Sequence, residues 1–368
     1  MFFSSADEAG AAGKYDLLLS VARFADARGF CCVWTPERHF HPFGGLFPNP
    51  SVTSAAIAAV TSRTGIRAGS LISPLHHTIR IAEEWSVVDN LSGGRVGISF
   101  GSGWNVNDFL FYPERYDRRQ KTMYEQIDLV RRLWRGERIV ETNSAGKPVE
   151  VAIYPKPVQP ELPIWVTTSG NVETFKSAGA TGANLLTHLI GQDLAQLGVK
   201  IAQYRQARQD AGFDPAAGKV SLMLHTYMGE DLEQVKSVVK RPFTEYLRSA
   251  LSLEQLAAMG GGAISGGHKV EGQAIPPDMI EDLLEITFNR YFSTGSLMGT
   301  VDSCEPMVNR LIEIGVDEVA CLVDFGVGDT AAILRSLEVV DRLRVAFAAD
   351  SLRESSADAL RQFAQPLD

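Results

Sequence analysis

The stretch that decides the fold is VWTPERHFHPFGGLFPNP, residues 33–50. With the two cysteines before it, its start forms an apolar run at residues 31–35 that is short enough to be a buried strand. A charged and aromatic cluster follows, Glu37-Arg38-His39-Phe40-His41, and then a loop rich in glycine and proline. An acid, a base and two imidazoles at the exit of a buried strand are typical of a site at the end of a barrel strand. A solvated Arg–Glu pair with surface histidines would give the same pattern. The rest of the chain must therefore distinguish a functional site from a surface cluster.

The composition is that of a globular protein with a large core. The chain has 368 residues, 45% of them hydrophobic and 21% charged, which suits a barrel with insertions better than one small domain. A net charge of −9 argues against a nucleic-acid or anionic-membrane partner. We also expect no signal peptide and no membrane span. The four cysteines lack metal-ligand spacing and predict reduced core thiols in a cytoplasmic protein: Cys31, Cys32, Cys304 and Cys321.

Eight predicted strands alternate with helical segments along the chain. The strands cover residues 2–5, 31–35, 66–72, 95–100, 163–168, 183–187, 219–227 and 318–323. A surface hairpin is predicted at residues 139–151. Alternation of this kind favours parallel pairing, and eight strands favour an α/β fold of the closed (β/α)8 TIM-barrel type over an open doubly wound sheet. No G-x-G-x-x-G motif follows the first strand, so the dinucleotide-binding alternative lacks its main motif.

We predict one barrel over residues 1–349, with an insertion or lid at about 251–300 and a polar C-terminal tail at 350–368. The glycine-rich segment at residues 259–275 would exclude water from the site if it closes as a lid. A disordered surface loop is the alternative. Because the first predicted strand starts at residue 2, we expect a domain cut from a longer protein.

Polar residues collect where the predicted strands end, and in such a barrel all strand exits face one ligand. They include Glu37, Arg38, His39, His41, Ser70, Ser73, His76, His77, Ser99, Ser102, Trp104, Asn105, Thr167, Thr168, Ser169, Gly170, Asn171, His188 and His225. Residues 168–171 open a helix, so their hydroxyl and N–H groups could hold a phosphate, although a plain N-cap has the same residues. Carboxylates are not spaced as in metal sites or glycosidases. Redox cofactor chemistry is therefore the leading interpretation.

Four segments of the chain carry a resemblance to a known family. They are TPERHFHPFGGLFPNP, RAGSLISPLHHTIRIAEEWSVVDNLSGGRVGISFGSGWN, LPIWVTTSGNVETFKSAGATGANLLTHL and LMLHTYMG. Together they resemble the bacterial luciferase-like flavin monooxygenases, and more closely the branch found in polyketide and nonribosomal-peptide biosynthesis. The resemblance spans residues 2–340. It implies a TIM barrel that binds reduced FMN, reacts with O2 and forms a flavin C4a-hydroperoxide.

The resemblance also implies roles for individual residues. A non-proline cis peptide is expected at Gly69-Ser70 under the flavin ring, and a phosphate-binding loop is expected at residues 168–170. The full set of cofactor-binding candidates is Gly69, Ser70, Ser99, Trp104, Asn105, Thr168, Ser169 and Gly170. The catalytic candidates are Glu37, Arg38, His39 and His77. His39 and His77 are favoured as acid/base groups because imidazole titrates near neutrality, with a structural hydrogen bond as the alternative for each.

Two departures from the family pattern matter. Light-emitting luciferases have E-H-H-F where this chain has residues 37–40, ERHF, so bioluminescence is not expected. Luciferases also place an arginine in the phosphate site where this chain has Phe100. Contact with the phosphate would then come from Arg95, from Arg118 or from the helix terminus alone.

The sequence therefore predicts an FMN-dependent monooxygenase that oxygenates a polyketide- or nonribosomal-peptide-type intermediate, free or bound to a carrier protein. A separate flavin reductase would supply reduced FMN, and we expect a homodimer paired through the second and third helices. An F420- or FMN-dependent hydride-transfer oxidoreductase of the same fold is the alternative. A flavin-binding domain without catalysis, inside a synthase, is a third interpretation.

Overall fold

The computed structural model describes residues 13–168, 170–259, 277–327 and 330–363. The predicted first strand at residues 2–5 lies outside them, as do Ser169 and nearly all of the glycine-rich segment. Along the chain the helices and strands are α1 (Asp16–Arg28), β1 (Cys32–Thr35), α2 (Pro50–Ala58), β2 (Gly65–Ile72), α3 (Thr78–Ser92), β3 (Val96–Gly101), α4 (Arg119–Trp134), β4 (Ile139–Thr142), β5 (Pro148–Val151), β6 (Ile164–Thr168), α5 (Val172–Ala180), β7 (Asn184–His188), α6 (Leu194–Asp210), β8 (Val220–Met228), α7 (Leu232–Met259), α8 (Pro277–Thr294), β9 (Leu297–Gly299), α9 (Val301–Glu313), β10 (Glu318–Leu322) and α10 (Thr330–Phe363).

One curled sheet of parallel strands forms the centre of the molecule. The strand order is β1-β2-β3-β6-β7-β8-β10, and β9 pairs with the end of β8. Helices follow the strands and cover the outside of the sheet, so that the apolar core lies between the two layers. The predicted α/β class of the TIM-barrel type is confirmed. In the described part of the chain, none of the helices combines the length and apolarity that crossing a membrane requires.

Local signals place the elements close to their predicted positions. Helix α1 buries Leu18, Val21, Ala22 and Ala25 at helical spacing, and it stops at Gly29, which has a positive φ of 75°. The predicted hairpin forms as the antiparallel pair β4–β5. Strand β9 is missing from the prediction because three residues are too few to show periodicity. Helix α10 runs to Phe363, so the chain is helical well into the stretch predicted as a polar tail.

A buried ion pair between two indole rings closes the amino-terminal end of the barrel interior. Arg67 on β2 bonds to Glu318 on β10 through Nη1 and Oε2, 2.6 Å apart. Its guanidinium lies 5.0 Å from the ring of Trp34 and 4.2 Å from that of Trp165. Gly97 leaves room for this arrangement, because a Cβ there would meet Trp165 at 2.8 Å. The interior is therefore filled at this end and open only towards the carboxyl ends of the strands.

Removing one member of this pair should destabilise the fold strongly. Burial opposes both charges, yet the pairing lowers the pKa of Glu318 and raises that of Arg67. We expect Arg67→Met to lower the free energy of unfolding by about 3 kcal/mol, because the largely buried Glu318 loses its closest cation and keeps only the more distant Lys219, 3.4 Å away. The double replacement with Glu318→Met should recover much of that loss. Urea unfolding followed by circular dichroism measures both.

Arg132 and Glu137 provide the matched control, because their ion pair is surface-exposed. Replacing Arg132 with Met should change the free energy of unfolding far less than Arg67→Met does, because water screens an exposed ion pair. Equal losses at Arg67 and Arg132 would show that burial of the inner pair has no energetic consequence.

Candidate functional site

A cavity of about 360 Å³ opens at the carboxyl ends of the parallel strands. Residues from the ends of β2, β3, β6, β7, β8 and β10 line it, together with the loop after β1 and the start of α5. Met223 and Leu322 form its inner wall, above the ion pair that closes the barrel. This is the place where barrels of this class bind ligands, and the volume suits a small molecule.

Most of the predicted site residues line this cavity. They are Glu37, Arg38, Gly69, Ser70, Trp104, Asn105 and Thr168. Ser99 is fully buried behind the wall and bonds through its hydroxyl to Thr167. Gly170 lies at the start of α5 beside the lining residue Asn171, and Ser169 lies outside the described residues.

The Glu37 carboxylate organises one side of the cavity. Its Oε1 accepts hydrogen bonds from His39 Nε2 at 2.8 Å and from His76 Nε2 at 2.6 Å. Its Oε2 accepts from the backbone N–H of Ile72 at 2.7 Å. An ionised carboxylate can only accept, so each Nε2 carries the proton in these bonds. The result is a buried acid flanked by two imidazole donors at the edge of the cavity.

Electrostatics hold this group in its charged form. Burial alone would raise the pKa of Glu37, but the charge of His76 and the hydrogen bonds from both histidines lower it. For His76, burial would lower the pKa, but the charge of Glu37 and its hydrogen bond raise it. Beside them, desolvation lowers the pKa of the buried Arg38 guanidinium, which stacks 4.8 Å from the ring centroid of Phe43.

The histidine after β2 that bonds to Glu37 is His76, whereas the sequence favoured His77. A 3₁₀ turn, Ser73–Leu75, ends in a hydrogen bond from the His76 backbone N–H to Ser73. The His76 carbonyl also accepts from Arg115 and from Gln126. This fixes the His76 ring against Glu37. His77 is exposed at the start of α3 and is not brought to the cavity.

A row of hydroxyl groups lies along the wall formed by β2, β3 and β6. The Gly69–Ser70 peptide bond is cis, which confirms the prediction from the resemblance. The hydroxyl of Ser70 lies 2.5 Å from that of Thr167, which in turn lies 2.7 Å from that of Ser99. The three hydroxyl groups form a chain of hydrogen bonds across the strands, in which each bond polarises the next. Ser70 lies at one end of this chain and can form a hydrogen bond with a bound molecule.

The start of α5 provides the polar end of the cavity. Asn171 caps the helix by accepting from the N–H of Glu173. The hydroxyl oxygen of Thr168 is buried, lines the cavity and has no hydrogen-bond partner among the described residues. A side chain at residue 170 would meet Lys200 Nζ at 3.4 Å, so an ammonium group lies beside this loop. An unpaired hydroxyl, a helix N-terminus and a nearby cation fit the phosphate of a nucleotide-like cofactor.

The arginines named from the sequence as phosphate contacts lie elsewhere. Arg95 precedes β3 and bonds to Ser92, Thr61 and Thr64 at the amino-terminal end of the barrel. Arg118 is exposed. Arg119, the next residue, lines the cavity, and its guanidinium donates to the carbonyls of Gly103 and Tyr116.

The sequence did not indicate Asp108, which also lines the cavity. It lies in the 3₁₀ segment Val106–Phe111 and accepts a 2.8 Å hydrogen bond from Asn105. Burial raises the pKa of Asp108 from 3.8 to about 6, against the lowering influence of His39 and Arg38. A carboxyl group with this pKa can exchange a proton near neutral pH. The sequence signal that could have identified Asp108 is its spacing of three residues from Asn105, which precedes the start of a helical segment.

The cysteines differ from the prediction of core thiols. None of the four forms a disulfide, but Cys31 is exposed, Cys32 and Cys321 are half-buried, and only Cys304 is buried. Cys31, Cys32 and Glu318 bring three possible metal ligands within 4.8 Å of one another at the end of the barrel opposite the cavity. The Glu318 carboxylate already bonds to Arg67 and Ser221, so the ion pair in the barrel interior accounts for its position.

A parallel barrel with a polar cavity of about 360 Å³ at its strand exits is typical of enzymes that bind a small organic ligand or cofactor there. The chain belongs to the luciferase-like monooxygenase family, whose profile matches residues 1–316. It is 25% identical over 242 residues to the oxygenase component of the flavin-dependent trigonelline monooxygenase of Acinetobacter baylyi, covering 60% of this chain and 61% of that protein.

It is also 30% identical over 229 residues to the F420-dependent hydroxymycolic acid dehydrogenase of Mycobacterium tuberculosis, covering 59% of this chain and 61% of that protein. Its fold matches the crystal structure of monooxygenase RslO1 from Streptomyces bottropensis with a TM-score of 0.74 and 21% identity, over 94% of this chain and 98% of that one. The protein is thus a flavin- or F420-dependent oxidoreductase of this family.

The coupling free energy between Glu37 and His76 should be largest between pH 4.5 and 6.5, the ordinary pKa values of the two groups. The pKa of Glu37 is lowered by folding, so its contribution is present above its ordinary pKa and is lost as the pH falls through the folded value. The pKa of His76 is raised, so its contribution is present below its ordinary pKa and is lost as the pH rises through the folded value.

A double-mutant cycle with Glu37→Gln and His76→Gln, measured by urea unfolding, should give a coupling free energy of about 1.5–3 kcal/mol near pH 5.5 and a smaller one near pH 9. His77→Gln is the control and should change little; a coupling independent of pH would contradict the ion pair.

Replacing Asp108 with Asn should stabilise the protein at neutral and alkaline pH. Because the pKa of Asp108 is raised by folding, the folded state holds the proton more tightly, and stability falls as the pH rises from 3.8 to about 6. The variant should exceed the wild type by roughly 2–3 kcal/mol near pH 8, and the gap should shrink as the pH approaches 4. Asp117→Asn, at an exposed position, is the control. A gap of constant size at all pH values would rule out the raised pKa.

Proposed function

We propose that the protein is an FMN-dependent monooxygenase that oxygenates a polyketide- or nonribosomal-peptide-type intermediate. The observation that carries the proposal is the group of proton donors and positive charge around Glu37: Glu37 and Arg38 line the cavity, and His39 and His76 form hydrogen bonds with Glu37 without lining it. Such a group can stabilise negative charge that develops on oxygen and can return a proton to it. The relative named as a flavin-dependent oxygenase component supports the same choice.

The residues at the polar end would hold the cofactor phosphate. Thr168 and the N-terminus of α5 offer hydrogen-bond donors, and Lys200 and Arg119 supply positive charge nearby. Ser70 and the hydroxyl row behind it would lie along the cofactor ring, with Trp104 and Asn105 on the adjoining wall. Reduced FMN, when bound, supplies two electrons to O2; one oxygen atom enters the substrate and the other leaves as water.

The protein's own groups would manage the proton in that reaction. His76 Nε2 and His39 Nε2 both donate to Glu37 Oε1, so a proton released at one imidazole can be replaced through the carboxylate from the other. Asp108, near His39 and Arg38, is a second group that titrates near neutrality. Neither His39 nor His76 lines the cavity, so both suit a role as proton reservoir behind Glu37.

Partners follow from the same proposal. A separate reductase would supply reduced FMN, as the words "oxygenase component" imply for the Acinetobacter relative. The substrate would be a small molecule, free or held by a carrier protein. A homodimer through α2 and α3 is supported by three exposed apolar side chains on these helices, Val52, Val87 and Leu91.

An F420-dependent hydride transfer is the second candidate, and the relative named as an F420-dependent dehydrogenase favours it. Equilibrium binding of FMN and of F420 to the purified protein, followed by measurement of O2 uptake with each reduced cofactor, separates the two. Monooxygenation requires tight FMN binding, O2 uptake and incorporation of label from ¹⁸O2 into product. Tight F420 binding with anaerobic turnover would overturn the proposal.

Thr168→Val should test the phosphate site without any turnover. We expect the variant to bind FMN about tenfold more weakly, because one hydrogen bond to a charged acceptor is lost. Binding of riboflavin, which lacks the phosphate, should be unchanged. Thr142→Val, on the exposed hairpin β4–β5, is the control. An equal loss for both ligands would place the phosphate elsewhere.

A further inference from the structure

The end of the cavity away from α5 is walled by aromatic rings. His225 on β8 is surrounded there by the rings of Phe243 and Tyr246 on α7, Tyr291 on α8 and Phe325 after β10. Ring centroids lie 4.6–6.1 Å from the imidazole, and the ring planes stand at 71–89° to it. His225, Tyr246 and Tyr291 reach the cavity, and Trp104 packs against the same aromatic cluster.

One polar atom in this aromatic end lacks a partner. Nε2 of His225 is buried, and no described residue forms a hydrogen bond with it. Buried nitrogen atoms are nearly always paired, so an unpaired one at a cavity wall indicates a ligand that completes it. Burial lowers the pKa of His225 to about 3, so the ring is neutral and offers one donor and one acceptor nitrogen.

A second neutral imidazole lies close by on β7. The Nδ1 atom of His188 accepts a hydrogen bond from the backbone N–H of Ile190 at 3.1 Å, so the ring proton is on Nε2. Burial lowers the pKa of His188 to about 4. His188 lines the cavity as well. The lining of the cavity therefore has two parts: hydroxyl groups, a helix terminus and cations around β6 and α5, called the polar end, and aromatic rings with the neutral imidazole of His225 around β8, α7 and α8, called the aromatic end, with the neutral imidazole of His188 on β7 between them.

We propose that the aromatic end is the substrate subsite and that it binds a neutral, planar ring system bearing a hydroxyl or carbonyl oxygen. The ring packs against Tyr246, Tyr291 and Trp104, and its oxygen forms a hydrogen bond with His225 Nε2. Aromatic walls favour a flat partner in stacked or edge-to-face contact, and a neutral imidazole discriminates by hydrogen bonding without requiring a charge. The inference rests on the proposed function, because it takes the polar end as the cofactor's place.

Binding of two matched probes tests the subsite without cofactor or O2. 2-Naphthol carries the hydroxyl group, and 2-methylnaphthalene has the same shape without it. Equilibrium dialysis should give the wild type an affinity about tenfold higher for 2-naphthol. His225→Phe should abolish this preference and leave binding of 2-methylnaphthalene within about threefold of the wild type. His225→Gln, which keeps a hydrogen-bonding group, should retain part of the preference.

His77→Phe is the control, because it makes the same change at an exposed histidine outside the cavity, and its preference should match the wild type. The proposal is overturned if His225→Phe keeps the preference, if neither probe binds, or if the cation 1-methylquinolinium binds tightest. Should His225→Phe not fold, loss of all preference in His225→Gln would also contradict it. The two proposals can fail separately. If the protein neither binds FMN nor takes up O2 but still prefers 2-naphthol, the proposed function is overturned and the subsite remains.

Discussion

Burial of the Glu37 carboxylate is the constraint on which the candidate site depends. An ionised acid removed from water must have its lone pairs filled, and here two imidazoles and one backbone N–H fill them. Meeting that requirement fixes the loop after β1 against the turn after β2, and so sets the edge of the cavity. The proton-handling groups and the shape of the cavity thus have one electrostatic cause.

The barrel allows this arrangement because one of its ends is filled with side chains and the other is open. An ion pair between indole rings fills the amino-terminal end, so the strand exits at the other end are left to shape a cavity. The lining of that cavity includes both the polar groups at α5 and the aromatic rings of α7 and α8. A reaction that joins a phosphate-bearing cofactor to a largely apolar substrate needs such a division, because each ligand then has one favoured end.

The fold could largely be predicted from the sequence, because alternating strands and helices and glycine stops are local signals. The site could be predicted only in part. His76 and His77 are adjacent and chemically identical, and a 3₁₀ turn decides which one faces Glu37. Burial in the folded cavity wall raises the pKa of Asp108, and the charged groups that face it, Glu37, Arg38 and His39, are about 70 positions away in the chain, so neither influence can be seen in the local sequence. Arg95 was a poor choice for a physical reason available at the start: it precedes its strand, whereas barrel ligands bind where strands end.

The pair of Arg67 and Glu318 joins residues 251 positions apart and links the second strand of the described sheet order, β2, to the last, β10. During synthesis on the ribosome, β2 is finished long before β10 emerges. Until then the Arg67 guanidinium and the apolar faces of the early strands have no completed interior to enter. The ion pair that fills the amino-terminal end of the barrel interior therefore cannot form until β10 has been synthesised.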